Sequence, residues 1–466
     1  ASGVAAKFAS RCPNDGLRIT GRSTRRDASV LQREASMTPS RHERENVPNP
    51  STMGMPFAVG FYFAFRIAIV LLSVRILGTS PQSGAAINLG LNFFFLTLTA
   101  FFALGNARIP SASMMRLPDV RWAFAFLGFS CCSLLWTSAA SLSAAVAYWC
   151  AMAADVAITV MLLRAGPRRA AAESLMKGYV WGACTFAIIT WLLPAQSDLR
   201  LGDEELLGPN QIGYLCAFAF FFAQYLMRQR RGEWGIAALV LGVTLLRSLS
   251  KTSIVAFLIS QSFLLIRDRS MSRRTRVSLA LGAAIVIAAF WGLLAVYFDI
   301  YTNAGGQPET LTGRLGIWAY MLAEAIQQPW VGHGFHSVWK VIPPFGPDQF
   351  EARHAHNELL QQFYAYGAAG VLLFVGIYTS LFRHFRRLAS APMKTFLLAF
   401  LLFVLVRGLA DTEPFDLSLP LWSILLLSLL AEHESDATAL PGPERIPLKE
   451  LRTPGAGMEP AGTSTA

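Results

Sequence analysis

Four of the seven histidines in this chain fall in one stretch: His333, His336, His354 and His356. Arg353 adjoins the second pair, and Arg314 precedes the whole stretch. An imidazole can take a proton from a hydroxyl near neutral pH, and a guanidinium can grip phosphate oxygens through two parallel hydrogen bonds. Together these residue types can combine proton transfer with the binding of an anionic group. If residues 353–356 are helical, His354 and His356 point roughly 200° apart at about 3.6 residues per turn, so only one can face a shared site. Arg353 lies three residues before His356, on the same face. The four imidazoles could also be read as zinc ligands, but Gly332, Gly334, Pro343, Pro344 and Pro347 leave no rigid helix to carry them. The expectation is a site that uses no metal and no other cofactor.

Such residues need a scaffold, and the composition names its solvent. Of 466 residues 53% are hydrophobic and 15% charged, and the mean hydropathy is +0.42, too evenly apolar for soluble domains. A helix crosses about 30 Å of hydrocarbon in roughly 20 residues. Apolar runs of this kind lie near 56–77, 84–104, 121–136, 142–163, 177–194 and 211–227. Six more lie near 234–249, 252–266, 277–298, 366–382, 394–410 and 417–431. The expected fold is all-α, a polytopic membrane helical bundle of about twelve transmembrane helices over residues 55–432. Its one large extracytoplasmic loop covers about 299–365, the stretch that carries the histidines.

Orientation follows from the basic residues, which collect on the cytoplasmic side. Arg108, Arg116 and Arg121 share one turn, Arg164, Arg168, Arg169 and Lys177 the next such turn, then Arg228, Arg230 and Arg231. Arg267, Arg269, Arg273, Arg274 and Arg276 follow, and then Arg383, Arg386, Arg387 and Lys394. The intervening turns are nearly free of base, apart from Arg200 and the Arg247–Lys251 turn. Both termini are therefore expected in the cytoplasm, and the net charge of +11 needs no nucleic acid to explain it. Residues 1–54 and 433–466 read as disordered cytoplasmic tails, the first basic and the second rich in proline. Within the loop, Thr310 or Thr312 can cap a short helix bearing Leu315, Trp318, Leu322 and Ile326 as an apolar stripe that would lie on the membrane surface or the bundle. A second helix is expected to begin near Arg353 and run into the tenth span. Asp155, an acid inside an apolar span, could mark a proton or substrate path.

The stretches Leu311-Thr-Gly-Arg-Leu-Gly-Ile-Trp318, Gln328-Pro-Trp-Val-Gly-His-Gly-Phe335, His354-Ala-His-Asn-Glu-Leu-Leu360 and Gly367-Ala-Ala-Gly370 fall in a fixed order. With Gly208-Pro-Asn-Gln-Ile-Gly213 and Leu249-Ser-Lys-Thr252 they resemble the O-antigen ligase and polymerase superfamily, with the nearest look to the exopolysaccharide polymerases. That resemblance implies a GT-C-like, metal-independent membrane glycosyltransferase at the outer face of a bacterial inner membrane. It implies an undecaprenyl-diphosphate-linked oligosaccharide as substrate and a chain-length regulator as a further partner. It points to His356 as the base and to Arg314 as both a catalytic and a diphosphate-binding residue. Arg200, Arg353 and Lys251 are expected on the diphosphate too, although the family more often has Arg where Lys251 stands. Asn357, Glu413 and His336 complete the candidate set. Asp411-Thr-Glu413 resembles the Asp-x-Glu of metal-dependent lipid-linked glycosyltransferases, but stands in the last loop rather than an early one.

Joining of lipid-linked repeat units is the expected reaction, and transfer of the chain to a lipid A core is the alternative within the same family. A transporter would instead need paired broken spans at the midplane and would ask little of one polar loop. The charge alternation makes a direct prediction: a reporter fused after His336 reports from outside the cytoplasm, and one fused after Arg274 from within it. Either fusion on the opposite side refutes this topology.

Overall fold

Backbone amides in hydrocarbon have no water to bond with, so an apolar run in lipid satisfies itself as a helix. Each of the twelve runs does so here. The computed structural model describes residues 54–106, 114–194, 196, 200–203, 205–229, 234–268, 272–289, 291–292, 295–296, 311–338, 354–412 and 417–439, all within the unit Pro50–Ala466. The first helices are α1 (Gly54–Arg75), α2 (Pro81–Asn106), α3 (Pro118–Ser133), α4 (Leu142–Ala165), α5 (Arg168–Leu192) and α6 (Pro209–Gln229). Then come α7 (Gly235–Arg247), α8 (Lys251–Arg267), α9 (Arg273–Ala289) and the short helix of the histidine stretch, α10 (Leu311–Ala325). Last are α11 (Glu358–Arg387), α12 (Ala391–Gly408) and α13 (Leu421–Ala439). No β-strand occurs among the described residues.

Of these, α1, α2, α4, α5, α11 and α12 are long and apolar enough to cross a membrane, and α7 and Leu421–His433 are shorter apolar helices. Helices thus lie at the expected apolar runs, and the structure supports six membrane spans among the described residues rather than the expected dozen. Residues 1–53, 299–310, 339–353, 413–416 and 440–466 lie outside the described part, and with them Thr310, Arg353, Glu413 and most of both expected tails. α13 runs on to Ala439, past the expected boundary at 432.

Without water to drive helices together, close packing in a bilayer depends on small residues that let backbones approach. α1 and α5 meet through Gly60 and Ala64 on one side and Gly178 and Gly182 on the other. A Cβ on Gly178 would stand 1.9 Å from the Phe57 carbonyl oxygen, and one on Gly60 2.0 Å from that of Leu175. Nearby, the intramembrane acid Asp155 is matched by Arg66, with Nη1 2.5 Å from Oδ2. An unpaired carboxylate there would be far more costly than this pair.

Ion pairs hold the arginine-rich end of the bundle. Arg228, at the end of α6, lies 2.6 Å from Asp268 just beyond α8 and donates to the Pro392 carbonyl at the start of α12. Arg168 reaches Glu432 on α13 at 2.7 Å, and His384 near the end of α11 meets Asp119 at the start of α3 at 2.9 Å. The starts of α6, α8 and α11 and the end of α12 therefore gather at the opposite end, which is where the site lies.

α11 is broken at Gly367, whose φ of 60° and ψ of −158° suit only a residue without a side chain. The break frees backbone groups that clip the segment after α10. The Tyr364 and Ala365 carbonyls accept from the amides of His333 (3.0 Å) and Gly334 (2.8 Å), while the amides of Ala368 and Ala369 donate to Pro329 (2.7 Å) and Trp330 (3.1 Å). Thr137 and Ser138, beyond α3, bond the Phe335 and His333 carbonyls from the other side. The Gly-His-Gly-Phe and Gly-Ala-Ala-Gly motifs are thus two halves of one fastening.

Gly178→Val should force α1 and α5 apart and cost about 1–3 kcal/mol, the usual penalty for overpacking. Gly90→Val, on a part of α2 where a Cβ meets nothing within 4 Å, should be near neutral. Thermal unfolding in detergent compares the two; equal losses would show that the α1–α5 contact is not tight.

Candidate active site

Three helices begin, and one ends, around the carboxyl group of Asp411. Asn357 caps α11, its side-chain oxygen accepting from the Leu360 amide at 3.0 Å, and its amide nitrogen donates to the Leu409 carbonyl at 3.0 Å. Ser250, immediately before α8, donates to Asn210 at the start of α6 at 2.9 Å, joining the Ser-Lys-Thr turn to the Gly-Pro-Asn turn. The Thr252 hydroxyl then donates to Asp411 Oδ2 at 3.4 Å. Helix N-termini present unsatisfied amides and the positive end of the helix dipole, and here they gather around the buried Asp411 carboxylate.

Asp411 is 1% exposed and held on several sides. Its Oδ1 lies 3.3 Å from His356 Nδ1 and accepts from the Thr412 amide at 3.1 Å. Its Oδ2 lies 3.5 Å from Arg407 Nη2. The Arg407 guanidinium, 0% exposed, sits 3.9 Å from the centroid of the Tyr214 ring, a cation–π contact that fixes its plane. Burial alone would raise the Asp411 pKa, but Arg407 and then His356 outweigh it and hold the group below the usual carboxylate range. A carboxyl group held toward its charged form therefore faces His356 Nδ1.

Beneath this pair, Glu358 is 2% exposed and accepts from the Thr412 hydroxyl, from Ser418 at 2.9 Å and from Gln362 at 2.8 Å. Tyr214 donates to the Ser418 carbonyl. The turn carrying Asp411 is thereby tied to α6 and α11 at once.

The two histidines are not on a helix, and this corrects the expectation. α11 starts at Glu358, and His356 has a φ of 51°, a strained value for a side-chain-bearing residue. That turn folds His354 back beside His356. Their ring centroids are 4.0 Å apart, and His354 Nδ1 accepts from the His356 amide at 3.3 Å. The premise that the rings point apart fails, because both face Asp411. Burial, then the neighbouring His356, push the His354 pKa well below its ordinary value.

Arg314 arrives from α10, donating to the Ala410 carbonyl next to Asp411. Trp318, one turn on, donates to the Ala355 carbonyl at 2.9 Å. These two anchors set the face that α10 buries: Ile317, Met321 and Ala325 pack inward, whereas Leu315, Leu322 and Ile326 of the expected stripe are exposed. Thr312 lies inside the helix rather than capping it.

His356, Arg314, Asn357 and Lys251, which opens α8 between Ser250 and Thr252, are thus brought to one place. Arg200 is buried in the turn that leads into α6. His336 stands apart, stacked on Tyr148 with centroids 4.9 Å apart, and burial pushes its pKa down to about 4. His333 is likewise stacked on Tyr364. The sequence reading missed Asp411 as the partner of His356, together with Arg407 and Glu358. The available signal was the acid in the turn between the last two apolar runs, facing the same side as the histidine loop.

Removing Arg407 should leave a buried carboxylate without its fixed cation. Arg407→Gln is expected to cost about 3–5 kcal/mol, as for other broken buried pairs. Adding Asp411→Asn should recover part of that loss. A double-mutant cycle by thermal unfolding reads this coupling, and strictly additive losses would rule it out.

The sequence model of the O-antigen ligase family matches residues 236–375, which include Lys251, Arg314 and His356. The exopolysaccharide production protein ExoQ of Rhizobium meliloti is 26% identical over 298 residues, 58% of this chain and 66% of that protein. An O-antigen ligase of Pseudomonas aeruginosa is 26% identical over 182 residues, 39% of this chain and 41% of its own. The matched part spans less than two thirds of either relative's length. The resemblance read from the motifs is therefore shown, and residues 236–375 of this multi-helix chain are the part that matches the O-antigen ligase family.

Proposed function

We propose that this protein polymerises undecaprenyl-diphosphate-linked oligosaccharide repeat units at the outer face of a bacterial inner membrane, by glycosyl transfer that uses no metal. The observation that carries this reading is the His356–Asp411 pair, set among the starts of α6, α8 and α11 beside Arg314. Asp411 accepts the Nδ1 proton of His356 and so fixes the tautomer in which Nε2 is the free base. The sugar hydroxyl of the incoming unit gives its proton to Nε2 as its oxygen bonds to the anomeric carbon of the donor. The bond from that carbon to the phosphate oxygen breaks, and the diphosphate leaves as an anion. Arg314, Lys251 and the helix N-termini supply the positive potential that stabilises it, with Arg200 and Arg353 as further contacts of the lipid-linked chain.

The exopolysaccharide name of one relative and the Thr-Gly-Arg and Gly-His-Gly-Phe stretches favour polymerisation. The second relative supports the other reading, transfer to a lipid A core. Donor, base and leaving group are common to both, so the acceptor separates them. This reading keeps both termini on the cytoplasmic side with the basic residues, and a site at the end of the bundle away from the arginine-rich loops agrees with it. A chain-length regulator is the expected protein partner.

In an assay with lipid-linked repeat units, His356→Ala should lower turnover about 10²–10⁴-fold with little change in donor binding. Arg314→Ala should weaken donor binding as well, and Arg314→Lys should restore only part, lacking the planar fork. Near-normal polymer from the His356 variant would remove it as the base. Product formed only when a lipid A core is offered would make the protein a ligase.

A further inference from the structure

We propose that His354, His356 and Asp411 form a zinc site whose occupation switches the proposed transferase off. One ring nitrogen from each histidine and one carboxylate oxygen of Asp411 all lie within 4.8 Å of one another. His356 Nδ1 and Asp411 Oδ1 are 3.3 Å apart. That is about the edge of a tetrahedron whose ligands stand about 2.0–2.1 Å from zinc. The two rings are inclined by 59° rather than stacked, so their nitrogens can turn toward a common point. Bringing His354 into place gives up only the 3.3 Å contact from the His356 amide.

Two imidazoles and one carboxylate are a donor set of borderline softness, which selects zinc over magnesium or calcium with their preference for oxygen alone. Three protein ligands leave a fourth position for water. Arg407, 3.5 Å from the same carboxylate, competes with the metal for its charge, so binding is reversible rather than structural.

The consequence for the base rests on the polymerase reading above. A metal inserted between Nδ1 and Asp411 takes the place of the Nδ1 proton. The neutral imidazole then carries its proton on Nε2, the nitrogen that must accept one from the sugar hydroxyl. No bond in the substrate changes, and the site is inert until the metal leaves and the proton returns to Nδ1.

The test uses the full chain purified in detergent. Zinc titrated calorimetrically should bind at one site per chain, and Co²⁺ in its place should give the visible absorption of a four-coordinate ion. His354→Ala and Asp411→Asn should each weaken binding at least about tenfold. If His354→Ala does not fold, His354→Gln carries the same expectation. In the polymerisation assay zinc should stop turnover and EDTA restore it, each variant being compared with its own zinc-free rate. Absence of one-site binding, or equal affinity in all variants, overturns the site; binding with turnover unaffected overturns the switch. The titration needs no turnover, so a chain inactive as a polymerase but binding zinc through these three residues would leave the site standing while the polymerase reading falls.

Discussion

A carboxylate that is almost fully buried must be matched, and matching Asp411 organises one end of this bundle. Arg407 supplies the charge, Tyr214 holds the guanidinium flat, and the Thr412 amide and Thr252 hydroxyl satisfy remaining oxygen lone pairs. Each partner comes from a different element, so the carboxylate can be satisfied only when α6, α8 and α12 are in register. The His356 imidazole joins a constellation already fixed, and its strained backbone is held by the surroundings rather than by local preference. The arrangement divides the network in two: Glu358 ties the turn to α6 and α11, and the His356 ring meets the Asp411 carboxylate itself.

The break in α11 serves the same end by another route. A continuous helix would have used all its backbone groups internally and offered nothing to the segment after α10. Interrupted at Gly367, it lends two acceptors and two donors to that segment, which fastens α10 to the bundle without disulfide or metal. α10 in turn brings Arg314 to the Ala410 carbonyl, beside the carboxylate. Small residues do comparable work between α1 and α5, where the approach of two backbones leaves no room for a Cβ.

The sequence made the helices legible because hydrocarbon permits no other solution for an apolar run, and every run is a helix. The motif residues His356, Arg314 and Asn357 were legible for a related reason, since they share stretches whose order is itself information. What failed was local geometry. Helical spacing was assumed for residues 353–356, but Asn357 is a cap, and a capping residue is preceded by non-helical chain. The burial face of α10 was read from its apolar stripe, whereas two polar anchors decide it. Asp411 and Arg407 were invisible as a pair because they belong to the end of one helix and the turn after it, with nothing in their spacing to tie them to a histidine 55 residues earlier. Long-range pairing of this kind is a property of the folded bundle.

The fastening at Gly367 has a consequence for how such a chain can change. It moors the chain at Phe335, and the indole of Trp318 holds it again at Ala355. A chain closed between two fixed ends costs only about 0.6 kcal/mol more for each doubling of its length. Diversity in that stretch is therefore cheap, while diversity in the flanking glycines is not. A lineage can therefore vary the length between the two moorings and inherit the moorings themselves unchanged.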